Sequence, residues 1–119
     1  MRPQSCKAKG RRLQQEVRDV LRQIGTPYGL VDGDIESRGM GQAGVDIILS
    51  PAAQRVFDLA VECKNVENLN VAKVFKEHYA KYEALSALKL LIHTKNHHET
   101  LVTMKLNDFI SLFQKGLTK

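Results

Sequence analysis

Two strand-patterned segments, residues 45–49 and 56–64, stand between stretches of helical periodicity, and this alternation most constrains what the chain can fold into. Upstream, Leu13, Val17, Val20, Leu21 and Ile24 recur at helical spacing over about residues 9–24, with Gly25 and Pro27 as the stop. Downstream, Asn70 is placed to cap a helix carrying Val71, Val74, Phe75, His78, Tyr79 and Tyr82 on its packing side. Residues 88–94 and 101–106 read as further strands joined by the polar turn 95–99. Asn107 then caps a last helix in which Phe109, Ile110, Leu112 and Phe113 are expected to face the core, with Gly116 as its stop. With a short strand around Ile35, the order is helix, strands, helix, strands, helix. The expected class is α/β, a central mixed sheet of about five strands flanked by helices.

At 119 residues the chain is expected to be a single domain, residues 1–119, opening on a basic leader of about residues 1–10. A chain of this length buries roughly two-thirds of its unfolded surface, so a second subunit is a plausible cover for any large apolar face. Lysine and arginine number 18 against 13 acidic residues, a net charge of +5. Arg2, Lys7, Lys9, Arg11 and Arg12 crowd the first dozen residues with no acid among them. Such a cluster suits a polyanion, because basic side chains release counterions from nucleic-acid phosphates. A solvated tail that only keeps the protein soluble is the other reading of the same charges.

Cys6 and Cys63 make no disulfide framework, which points to a reducing, intracellular and cytoplasmic setting. No apolar segment suggests export or membrane insertion, so no membrane partner is expected. No phosphate-binding Gly-Lys-Ser/Thr loop and no serine-nucleophile motif occur, and no small-molecule cofactor is expected. His97 and His98 lack the further ligands that a structural zinc needs, and His78 reads as a satisfied packing histidine.

Chemistry concentrates around the two central strands. The first opens on Asp46 after the glycine-rich stretch 39–44, and the second carries Glu62 and Lys64. Alternation puts Asp58, Ala60, Glu62 and Lys64 on one face of that strand and Phe57, Leu59, Val61 and Cys63 on the other. If residues 50–54 form a turn, the strands are an antiparallel hairpin whose ends bring Asp46 beside Glu62. Two carboxylates can hold a hard divalent cation, and an adjacent amine can steady charge developing on a phosphate. Each residue alone also has an ordinary reading, as a strand-opening cap or the wet face of an amphipathic strand.

Val45-Asp46 followed by Glu62-Cys63-Lys64 resembles the signature of the PD-(D/E)XK nuclease superfamily, with valine where proline is often found. Lys9-Gly10 before a helix and Ser37 nine residues ahead of Asp46 make the chain look most similar to archaeal-type Holliday junction resolvases, including phage-encoded relatives. The resemblance implies a restriction-endonuclease-like fold, a homodimer, and Mg2+-dependent paired nicking of branched, four-way DNA, with Mn2+ able to substitute. It also implies a place in DNA recombination and repair. On it, Asp46, Glu62 and the backbone carbonyl of Cys63 are metal ligands, Lys64 orients water or steadies the phosphate, and Ser37 lies in a mobile loop near the scissile strand. The acid of the first helix maps to Gln14 by strict spacing and to Glu16 as the nearest carboxylate, and both stay open. Lys7, Lys9, Arg11, Arg12 and Arg38 are the expected DNA contacts. A restriction- or repair-type nuclease on duplex or damaged DNA, and a non-catalytic nucleic-acid-binding module, are the alternatives.

Overall fold

The structure, a computed structural model, describes residues 3–39 and 42–117. Helix α1 spans Pro3–Gly25 and begins earlier than the apolar periodicity does, so the described part of the basic leader is helical rather than a separate arm. Its buried residues Leu13, Val17 and Leu21 are spaced by four, which lays them along one stripe. The helix ends where Gly25 lets Leu30 fold back against it. A Cβ at Gly25 would lie 2.7 Å from a Leu30 methyl, so this close approach requires glycine.

Strands β1 (Ile35–Ser37) and β2 (Ile47–Leu49) pair antiparallel, with Ile35 opposite Leu49 and Ser37 opposite Ile47. Asp34 clamps their base, accepting from the Val31 amide at 2.8 Å and the Ser50 hydroxyl at 2.7 Å. These bonds lower the Asp34 pKa, the Val31 amide most. The same Ser50 oxygen accepts from Ala53 N and so caps α2 (Pro51–Val56), with Pro51 in the first turn where a missing N–H costs nothing. The expected turn at 50–54 is therefore a short helix. Its consequence is that β2 and β3 (Leu59–Asn65) are not a hairpin.

Instead, β3 runs parallel to β4 (Leu88–Thr94), and β5 (Leu101–Thr103) lies antiparallel on the far side of β4. Parallel neighbours need a crossover, which α3 (Val71–Lys81) supplies, capped as expected by Asn70 accepting from Lys73 N at 3.1 Å. The molecule is thus an α/β domain with a two-stranded and a three-stranded sheet, not one five-stranded sheet. Ahead of β2, a backbone bond from Asp46 N to Val61 O, 2.9 Å, is one link to β3. Continuous pairing stops there because the chain enters α2 directly after β2.

Alternation along β3 and β4 decides which helix covers what. Val61, Cys63, Leu90 and Ile92 join Leu13, Val17 and Leu21 of α1, with Ile35 and Ile47, in the main core. The opposite face, which includes Ala60, Glu62 and Lys89, lies under α3: His78 Nε2 donates to Ala60 O at 2.9 Å, and the Lys89 ammonium sits 5.3 Å from the Tyr79 ring centroid. The carbonyl can only accept, so His78 carries its proton on Nε2.

Helix α4 (Leu106–Leu117) departs from expectation. Asp108, Ser111, Leu112 and Lys115 border a cleft against Tyr79, Leu88 and Lys89, but Leu112, like Leu106, Phe109, Ile110, Phe113 and Leu117, is exposed. The periodicity was sound, but it marks an outward stripe, not the core. No described helix is long and apolar enough to cross a membrane.

Candidate active site

Asp46 sits at the mouth of β2 and is fastened to β3 twice. Its amide donates to Val61 O at 2.9 Å, and its carboxylate oxygen Oδ2 accepts from Cys63 N at 2.7 Å. Its own carbonyl accepts from Arg38 N at 2.8 Å, which holds the far side. Because a strand residue presents its N–H and C=O to the same edge, the Cys63 carbonyl emerges beside Asp46. This fixes one carboxylate without using a hairpin.

Glu62, next along β3, points from the α3 face into a cavity of about 390 Å³ that Asp46, Lys64 and Gly44 also line. Burial first, then a hydrogen bond that protonated Glu62 donates to Asp46 and the negative charge of Asp46, raise the Glu62 pKa to about 7, against the opposing pull of Lys64 and Lys81. Lys64 Nζ stands 3.8 Å from Glu62 Oε1. Asp46, Glu62 and Lys64, from two segments 16 residues apart, therefore share one cavity. Burial, with the two acids nearby, pushes the Cys63 thiol far above its ordinary range, so it is a neutral packing group and no nucleophile.

A dication fits this donor set. Two neighbouring carboxylates, one of them reluctant to ionise beside the other, gain from a positive charge between them, and the Cys63 carbonyl adds a third oxygen. Among the described residues no group of three or more His, Cys, Asp or Glu is placed to hold a metal ion.

The loop beside the acids is shaped by Gly44. Its φ of +119° disfavours any side chain, and a Cβ there would lie 2.7 Å from the Arg38 guanidinium carbon. Arg38 lies across this glycine with Nε donating to Val45 O at 2.6 Å. Arg38 thus lies against Gly44 of the cavity wall without lining the cavity itself, with part of its donor fork committed to the backbone.

Other expected residues are placed differently. Ser37 lies in β1 opposite Ile47, not in a loop, and does not line the cavity. Gln14 is half-buried and Glu16 exposed on α1; neither lines the cavity. Arg11, Arg12 and Lys7 are exposed, whereas Lys9 is only 6 % exposed with its ammonium 3.9 Å from Glu67. Lys9 therefore serves the fold before any phosphate.

The far wall of the cavity comes from α3, through Glu77, His78, Lys81 and Tyr82, which sequence reasoning did not assign to a site. Burial holds the His78 pKa below its ordinary value. The available signal was topological: a helix that follows the Glu-x-Lys strand and crosses to a parallel neighbour must pack on one face of it, and here that is the face of Glu62. No protein-family model, curated protein or solved structure significantly matches the chain.

Proposed function

We propose that this chain is a metal-dependent endodeoxyribonuclease of the PD-(D/E)XK type with a restriction-endonuclease-like fold, acting on branched, four-way DNA as a homodimer. The observation that carries the reading is the meeting of Asp46, Glu62 and Lys64 in one cavity, with the Cys63 backbone turned to the same edge. Asp46 and Glu62, with the Cys63 carbonyl, would hold Mg2+ or Mn2+. When bound, such a cation supplies Lewis-acid polarisation of a phosphoryl oxygen.

The chain's own residues do the rest. The Cys63 amide and the backbone bond to Val61 orient Asp46 before substrate arrives, which avoids reorganisation during the reaction. Lys64 steadies negative charge on the phosphate or holds the attacking water near it. Arg11, Arg12 and Lys7, exposed on α1, supply sequence-independent backbone contacts. Four-way DNA as the preferred substrate follows from the resemblance. A second copy of the chain suits the exposed stripe of α4, which contains no charge that would repel itself.

Labelled four-way junction and matched linear duplex, each with and without Mg2+, test the reading. Symmetric Mg2+-dependent nicks in the junction are expected; duplex cutting would instead favour a restriction- or repair-type enzyme. Asp46→Asn and Glu62→Gln should each lose cutting by on the order of a hundredfold or more while keeping junction binding. Wild-type rates in both variants would remove the site assignment.

A further inference from the structure

We infer that Lys81, the last residue of α3, is a second phosphate-contacting residue of this cavity, receiving the non-bridging oxygens of a backbone phosphodiester across from Lys64. The inference rests on the nuclease reading and extends it to a residue outside the Asp and Glu-x-Lys signature.

The cavity wall carries charges of both signs. Asp46, Glu62 and Glu77 line it as acids, and Lys64 and Lys81 as bases. A phosphodiester entering beside such acids meets repulsion unless a cation is free to receive it. Lys64 already stands 3.8 Å from Glu62 Oε1. Lys81 has no carboxylate oxygen within 4.0 Å among the described residues; its ammonium lies 5.4 Å from the centroid of the Tyr82 ring. An aromatic face attracts a cation without satisfying its three N–H donors, so those donors remain available to an anion.

Position is the second observation. The Tyr82 ring packs edge-on against His78, with centroids 5.3 Å apart, and His78 Nε2 donates to Ala60 O on β3 at 2.9 Å. Ala60 is two residues before Glu62, so the contacts that support Lys81 are registered to the strand that carries the acid. Lys81 also ends α3, where a cation is favoured by the helix dipole, and that interaction alone would keep it for stability. The experiment must therefore read phosphate contact as well as folding.

Lys81→Met, Lys81→Gln and Lys81→Arg would be compared with the wild-type chain for junction binding in Ca2+ across a salt series, for single-turnover cutting in saturating Mg2+, and for thermal stability. Expected for Lys81→Met and Lys81→Gln are a slope of log K against log salt shallower by about one, cutting slowed roughly tenfold, and near-wild-type melting. Lys81→Arg should restore both slope and rate. An unchanged slope and rate in Lys81→Met, or a loss of melting temperature with no change in slope, overturns the inference. Asp46→Asn, run in parallel, separates the two claims. If it abolishes cutting while Lys81→Met is silent, only the role of Lys81 falls; if it cuts as wild type, the nuclease reading itself falls.

Discussion

Glu62 is the residue at which fold and chemistry pull against each other. Its pKa near 7 means that the folded state binds a proton more tightly than the unfolded chain, where the group titrates near 4.5. Stability contributed by the protonated form is complete below about pH 4.5 and is lost as pH rises through about 7. Replacing the carboxyl with a neutral amide removes that loss. Glu62→Gln should therefore raise the melting temperature by roughly 5 °C at pH 8 and leave it little changed at pH 4.5, measured without divalent metal. An equal shift at both pH values would show that the ionisation of Glu62 does not govern stability. The same competition makes the free carboxylate scarce at pH 6, where more Mg2+ should be needed for half-maximal cutting than at pH 8.

Among elements, those set by local chemistry were the legible ones. Leu13, Val17 and Leu21 announce α1 by spacing, Asn70 announces α3 by its cap, and residues 88–94 announce β4 with correct bounds. Ser50-Pro51 reads equally as a turn and as a cap with proline in the first helical turn, and the main-chain bonds from Gln54 N to Ser50 O and from Phe57 N to Ala53 O distinguish them. The meeting of Asp46 with Glu62 was nonetheless legible in residue types and spacing, although a helix and not the expected hairpin turn joins the segments that carry them. The wall of α3 was not, since it depends on β3 and β4 being parallel, a long-range choice that no local residue reports. α1 carries its own test. Arg11 and Arg12, like Lys7, are exposed there while Lys9 is held against Glu67, so on the proposed nuclease reading phosphate contacts would fall to these three rather than to Lys9. Arg11→Ala with Arg12→Ala should weaken junction binding and flatten its salt dependence by one to two units, whereas Lys9→Ala should act mainly on melting temperature. A salt slope untouched by the double replacement would clear both arginines of contact with DNA.

At the scale of the whole molecule, the unfinished surface is α4. A helix whose Asp108, Ser111 and Leu112 border the cleft against the body and whose Leu106, Phe109, Ile110, Phe113 and Leu117 are exposed leaves an apolar stripe that a second copy would cover under the proposed homodimer. Phe109 and Phe113 stack with ring centroids 5.8 Å apart, so the stripe is pre-arranged within its own helix before meeting anything. Copies carrying +5 each repel over most of their surface, and an uncharged stripe is where they can approach. In the proposed dimer a twofold axis across it would set the Phe109–Phe113 pair of one copy against that of the other, the self-complementary arrangement expected of a symmetric dimer. The wild-type chain should sediment as a dimer at micromolar concentration, with a melting temperature that rises with protein concentration by mass action. Phe109→Glu combined with Phe113→Glu should sediment as a monomer, with a lower melting temperature that no longer depends on concentration. Because these side chains lie away from the Asp46 and Glu62 cavity, the variant should still bind Mg2+ there but lose the paired character of its nicks, releasing junctions cut on one strand. A wild-type chain that sediments as a monomer at all concentrations would remove self-association as the purpose of that stripe.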